Sequence, residues 1–239
     1  MGDRNELKVG VLAAAFVFGT ATGAYADQPV ATWQGGYAGV QIGQLSSSLA
    51  IDYSQGGNGT SAFLSTASPD PGDVVGGLFG GFNWHGTGPL VFGVEGEFNW
   101  SHAEGSADEI EIISSTPGLN LGSYETSINE SAALRGRLGY ASGSSLLYVS
   151  AGLAYIQYDV AYDNPPPPLP GRYSDSRIGW TLGFGYEHDF GNQWLGRIDY
   201  RYSDFGTDIL QAGSLGVSNF QYESEINTHE VRVGFARRF

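Results

Sequence analysis

Apolar and polar residues alternate with a period of two in eight segments of this chain, at about 36–46, 74–84, 89–101, 130–140, 145–158, 176–188, 193–205 and 228–239. In the sixth, Ile178, Trp180, Leu182, Phe184 and Tyr186 fall on one face, and Arg177, Gly179, Thr181, Gly183, Gly185 and Glu187 on the other. The third sets Leu90, Phe92, Val94, Phe98 and Trp100 against Gly93, Glu95, Glu97 and Asn99; the seventh sets Trp194, Ile198, Tyr200 and Tyr202 against Arg197, Asp199 and Arg201. Successive side chains of a strand point to opposite faces, so each segment predicts a strand with one apolar and one polar side.

A soluble sandwich or a lipocalin-like barrel alternates too, and the connections discriminate better. Only His85 to Gly88, Ala141 to Ser144 and Asp189 to Asn192 separate strands two and three, four and five, and six and seven. The other connections, near 47–73, 102–129, 159–175 and 206–227, are all much longer. In an up-and-down barrel this alternation puts every tight turn at one end and every long loop at the other, the arrangement of outer-membrane barrels. The expected fold class is therefore all-β, an eight-stranded antiparallel up-and-down transmembrane β-barrel.

The polar face adds a second argument. It carries Glu95, Glu97, Glu187, Asp199 and Glu230 beside Arg135, Arg137, Arg197, Arg201 and Arg232, a balanced set among many glycines. In a narrow lumen such groups must neutralise and hydrogen-bond one another, and the planar five-donor fork of Arg suits that task. A solvated sheet face would be expected to use Lys, and the chain has no Lys after Lys8. These ten residues are the expected lumen charge network. Aromatics near the strand ends, Trp33, Trp84, Trp100, Tyr140, Trp180, Trp194, Tyr202, Phe205 and Phe239, predict girdles at the two membrane boundaries.

Charge and composition narrow the function. The chain of 239 residues has a formal net charge of −14, which disfavours a nucleic-acid partner because phosphate binding needs clustered Lys and Arg. There are no cysteines, hence no disulfide framework, thiolate metal site or Cys nucleophile. A charged stretch ending at Lys8, an apolar run from Val9 to Phe18 and the small-residue site Ala24-Tyr25-Ala26 read as a secretory signal peptide over 1–26, leaving 27–239 as the barrel domain. That apolar run is too short to span a bilayer as a helix.

Other chemistry is sparse. Asp108-Glu109-Ile110-Glu111 offers carboxylates for a divalent cation but lacks EF-hand spacing, and is read as a solvated acidic loop. The run Pro165 to Pro168 reads as a stiff loop segment. Ser101, His102 and Glu104 invite comparison with a nucleophile and base, yet adjacent strand residues point to opposite faces. His85, His188 and His229 form no motif, and no HExxH, GxSxG or P-loop pattern occurs. No catalytic residue, cofactor or metal site is expected.

Several stretches resemble the opacity-type, OmpA-like family of small outer-membrane β-barrels, in particular its alphaproteobacterial surface-antigen, porin-like branch. They are Trp33-Gln34-Gly35-Gly36-Tyr37-Ala38-Gly39, Arg135-Gly136-Arg137-Leu138-Gly139-Tyr140, Gly179-Trp180-Thr181-Leu182-Gly183, Tyr200-Arg201-Tyr202-Ser203-Asp204-Phe205-Gly206 and the final Val231 to Phe239. The resemblance implies location in a Gram-negative outer membrane, contact with its lipid and lipopolysaccharide, and an assembly signal in Val231, Val233, Phe235 and the terminal Phe239 that is read by the barrel-assembly machinery. The expected function is a structural barrel with a largely filled lumen, supporting envelope integrity and presenting acidic surface loops for adhesion or recognition. The alternatives are a porin-like channel for small solutes and, less favoured, a lipid-modifying enzyme. Eight strands leave an interior that side chains fill, whereas general porins need about 16.

Overall fold

A strand that is apolar on one face and polar on the other still leaves backbone groups unpaired at its edges unless neighbours complete the ladder on both sides. The chain meets this demand by closing on itself. The computed structural model describes residues 33–57, 60–113, 120–162, 171–215 and 218–239. It contains β1 (Gly35–Gly57), β2 (Thr60–Ala67), β3 (Gly72–His85), β4 (Leu90–Ile113), β5 (Asn120–Ser142), β6 (Ser145–Tyr162), β7 (Arg172–Gly191), β8 (Trp194–Leu215) and β9 (Ser218–Arg238). All pairings are antiparallel, and β1 pairs with β9 from Tyr37↔Arg238 to Gly56↔Asn219, which closes the ring.

Nine strands occupy eight positions. Ile51 of β1 faces Ala67 of β2, and Ser46, five residues back along β1, faces Gly72 of β3, five residues on from Ala67, so β2 and β3 continue one register. The same continuity holds on the other side, where Thr66 faces Ile110 and Gly72 faces Glu104 of β4. Between β2 and β3 lies Ser68-Pro69-Asp70-Pro71, and two prolines remove two ladder donors. The Ser47 N–H donates to the Pro71 carbonyl at 2.9 Å across this break.

The three short connections, 86–89, 143–144 and 192–193, all lie at one end of the barrel. Asn192 and Gln193 both adopt positive φ, 51° and 72°, as a two-residue type I′ hairpin turn requires. The long connections differ from the sequence expectation. Three of them, 47–73, 102–129 and 206–227, are strand for most of their length: β1, β2, β4, β5, β8 and β9 run through them, so Asp108 to Glu111 lies in strand β4 rather than in a loop. The signal-peptide segment and Pro165 to Pro168 lie outside the described residues.

Face by face, the alternation sorts apolar side chains outward over the half of the barrel next to the short turns. Val40, Leu78, Phe92, Leu134, Val149, Leu182 and Val233 are all about half exposed or more. On β7 this band runs from Ile178 to Phe190; twelve residues at about 3.3 Å each on a strand tilted by about 40° give roughly 30 Å of height, the thickness of a bilayer's hydrocarbon core. Beyond the band the strands continue. From Trp100 to Ile113, β4 rises roughly 30 Å further by the same arithmetic.

That extension has its own apolar core, with Leu45, Leu49, Ile51, Ala103, Ile128, Tyr158, Phe205 and Ile226 buried inside the ring. Asp52, Glu104, Asp108 and Glu125 point outward to water. Register irregularities mark the changeover: between Trp100 and Ala103 on β4, between Ile128 and Glu130 on β5, and between Asp204 and Thr207 on β8. At the last of these Gly206 has a φ of 67°, and its N–H donates to Asp204 Oδ1 at 2.8 Å. On β5 the bulge at Asn129 changes which residues face in, from Tyr124, Thr126 and Ile128 on one side to Ala133, Arg135 and Arg137 on the other.

Candidate functional site

Inside the apolar band, each strand must send its polar alternate side chains into a space no wider than a few side chains, with little water to solvate them. The ten charged residues singled out from the sequence all lie there, and all are buried. Glu95 and Glu97 on β4 are the two hubs. Glu95 Oε1 accepts from Arg135 Nη2 at 2.6 Å, and its Oε2 accepts from Arg197 Nη1 at 2.7 Å, Arg137 Nη1 at 3.1 Å and the Tyr37 hydroxyl at 2.8 Å. Glu97 accepts from Arg135 Nη2 at 2.8 Å and Arg232 Nη1 at 2.9 Å, and Arg201 grips both of its oxygens.

The remaining carboxylates extend the mesh. Asp199 accepts from Arg232 Nη2 at 2.5 Å and pairs with Arg197 Nε at 3.1 Å. Glu187 accepts from Arg137 Nη2 at 2.8 Å. Glu230 sits more loosely, 3.5 Å from Arg232 Nη1 and 4.0 Å from Arg201 Nη1. Because β4 lies across the ring from β8 and β9, the bonds of Glu95 with Arg197 and of Glu97 with Arg201 and Arg232 brace opposite walls against each other. Five carboxylates and five guanidiniums leave no net charge in the layer, the condition under which ionised groups tolerate removal from water. Glycine provides the room. A Cβ at Gly234 would stand 3.1 Å from Arg197 Cγ, and one at Gly43 would collide with Arg232.

Neutral partners of the network were not singled out from the sequence. Arg197 Nη2 donates to Gln41 Oε1 at 2.6 Å, Gln41 Nε2 donates to Asn99 Oδ1 at 2.6 Å, and Arg137 Nη1 donates to the Tyr37 hydroxyl at 2.6 Å. The signal that finds them is parity: Tyr37 and Gln41 share a face of β1, and Asn99 follows Glu97 by two. Arg137 stacks 4.0 Å from the Tyr148 ring centroid and Arg197 3.5 Å from that of Phe79. A sixth arginine, Arg177, lies above the mesh, where its Nη1 donates to the Ser224 carbonyl at 2.8 Å and the Gly206 carbonyl at 3.2 Å.

Apolar layers cap the mesh on both sides. Toward the turns, Trp33, Val91, Leu146, Leu195 and Ala236 fill the ring; toward the long connections lies the core of the extension. Two residues expected in the aromatic girdles belong to these layers instead. Trp33 is 1% exposed, because it packs with Leu146, Leu195 and Ala236 inside the ring, where its Nε1 donates to the Gly143 carbonyl at 3.4 Å. Phe205 is buried because it shares the inward parity of Arg201 and Ser203 on β8. Trp84, Trp100, Tyr140, Trp180, Trp194 and Phe239 are exposed on the outside, and Tyr202 is partly so.

Ser101 faces inward and donates to the Ile128 carbonyl at 2.7 Å, while His102 and Glu104 are exposed outside, so the three form no relay. His85 meets the Gly88 carbonyl, and His188 and His229 stand beside Tyr186 and Tyr200. Val231, Val233, Phe235 and Phe239 all face outward on the last strand and its end.

Comparison with known proteins places this geometry. The family model of the outer membrane protein beta-barrel domain matches residues 11–239. The chain is 32% identical over 212 residues to a 31 kDa outer-membrane immunogenic protein of Brucella melitensis biotype 1, covering 87% of this chain and 84% of that one. It is 26% identical over 162 residues to a 22 kDa outer membrane protein of Rhizobium leguminosarum bv. viciae, covering 68% and 64%. The crystal structure of the outer membrane protein OprG from Pseudomonas aeruginosa superposes with a TM-score of 0.52 at 13% identity, over 86% of this chain and 96% of that one, a likeness of fold. The chain belongs to the outer-membrane β-barrel protein family and resides in the Gram-negative outer membrane.

Proposed function

We propose that the protein is a structural outer-membrane barrel whose filled lumen passes no bulk solute, and whose extension carries an acidic surface beyond the lipid to support envelope integrity and contact with other surfaces. The observation that carries this reading is the stacking of three side-chain layers inside one ring: an apolar seal, a charge-neutral ion-pair mesh and a second apolar core. The ten charged residues act as a rigid brace. They offer no substrate site, because all ten are buried and every one is ion-paired within the layer, and the barrel performs no catalysis. The immunogenic character stated in the Brucella relative's name supports surface exposure of the extension.

Biogenesis follows the same reading. Residues 1–26 act as a cleaved export signal, 27–239 form the mature barrel, and the outward row Val231, Val233, Phe235 and Phe239 is the signal taken up by the barrel-assembly machinery. The test is a deletion strain complemented with the wild-type chain. Greater sensitivity to detergents and large hydrophobic antibiotics on deletion, together with labelling of the extension on intact cells, is the expected result. Unchanged envelope resistance, or an extension inaccessible to an impermeant label, contradicts it.

A further inference from the structure

The lipid-facing wall is not evenly convex. Gly136 on β5 pairs with Ala151 on β6, and Ala151 with Leu182 on β7, which sets two small residues side by side within the apolar band. Leu138, Val149 and Phe184 stand taller next to them, in register with one another, and leave a groove of about 700 Å³. The groove does not stop there. The same three residues line an adjoining hollow of about 400 Å³ that reaches Leu90, Tyr140 and Leu147 at the turn end.

Its two ends differ. Two residues below Leu147, the Ser145 and Tyr186 hydroxyls are 2.9 Å apart, and the Tyr186 hydroxyl lies 3.2 Å from His188 Nδ1, a cluster of hydrogen-bonding groups within the last residues of the band on the turn side. At the other end the rings of Trp180 and Tyr202, 5.4 Å apart and edge to face, stand beside Leu182. Tyr200 also lines the groove, and its hydroxyl lies 2.7 Å from His229 Nδ1, so hydroxyl and imidazole groups stand near both ends; the turn end is the one that the adjoining hollow extends and that carries Ser145, Tyr186 and His188 together.

We infer that this groove holds one acyl chain of a phospholipid of the periplasmic leaflet, with the headgroup at Ser145, Tyr186 and His188. Three points select that occupant. The groove is continuous with the band that faces the bilayer, so lipid is its neighbour at all times. It opens toward the short turns, which lie on the periplasmic side in such barrels. A second copy of the chain fits poorly, because a two-fold contact lays a hollow against the same hollow and leaves a void where packing should be. A flexible chain fills a concave apolar surface without that penalty, and hydroxyl and imidazole groups suit a phosphate headgroup.

Native mass spectrometry of the full barrel, released from outer membranes in mild detergent, tests this. Wild type is expected to retain one phospholipid. Ala151→Leu, which fills the groove and touches nothing in the lumen, is expected to lower the retained fraction roughly tenfold, since added methylenes overlap the chain. Val40→Leu, lipid-facing but on β1 and outside the groove, is expected to retain lipid like wild type, and heat-modifiable migration shows that each variant is folded. Wild type free of lipid, a retained mass matching lipopolysaccharide, or equal retention by Ala151→Leu each overturns the inference.

Discussion

The half of the barrel in the membrane and the half beyond it are built from the same eight strand positions with opposite polarity. In the band, charges and amides face in and apolar side chains face out; in the extension, Leu45, Leu49, Ile128 and Ile226 face in, and Asp52, Glu104 and Glu125 face out. The solvent outside decides the arrangement. Lipid rewards an apolar exterior and forces the polar alternates inward, where they survive only as a neutral, hydrogen-bonded mesh. Water reverses the preference, and the interior can then be held by ordinary apolar burial. One chain therefore uses two stabilising strategies within a single closed ladder.

The largest effect expected from breaking this contrast is at the hub of the mesh. Glu97→Ala leaves Arg201 and Arg232 buried with one carboxylate fewer, a loss of about 3–5 kcal/mol; the midpoint of urea-induced unfolding in lipid vesicles should fall accordingly. Removing an apolar contact from the extension should act locally. Ile226→Ala is expected to cost about 2–5 kcal/mol in the extension, read as faster proteolysis there while the membrane half still migrates as a folded barrel. A charge on the outer face separates the two halves most cleanly. Leu182→Arg in the band is expected to cost about 2–4 kcal/mol, whereas Ser106→Arg, outward in the extension, should stay within about 0.5 kcal/mol, both measured by the same unfolding assay. The smallest effect lies at the turn end, where Gln193 sits at a φ of 72°. Gln193→Gly should gain about 1 kcal/mol or less by relieving that conformation.

The membrane half was legible in the sequence because its apolar and polar alternates keep one phase: Ile178 to Tyr186 outward, Arg177 to Glu187 inward. All eight strands were found there, with the ten charges on their inner face. The extension looks like loops in the sequence because the phase of the apolar residues reverses where the environment changes. On β1 the apolar set moves from Val40 and Ile42 to Leu45, Leu49 and Ile51; on β6 it moves from Leu147, Val149 and Leu153 to Ile156, Tyr158 and Val160. A reversal of phase looks like the end of a strand when one amphipathic pattern is sought throughout. On β5 the bulge at Asn129 hides the reversal, so Tyr124, Ile128, Leu134 and Leu138 share one parity while pointing to opposite sides of the wall. The cross-lumen partners, such as Arg201 with Glu97, were legible only as a charge balance, since pairing across a ring depends on the stagger of strands far apart in sequence.

The central claim is that the lumen is closed by side chains from seal to core. Planar-bilayer recording on the refolded full barrel tests it most directly. The account predicts a silent membrane or brief, small events; stable, large-conductance steps would contradict it.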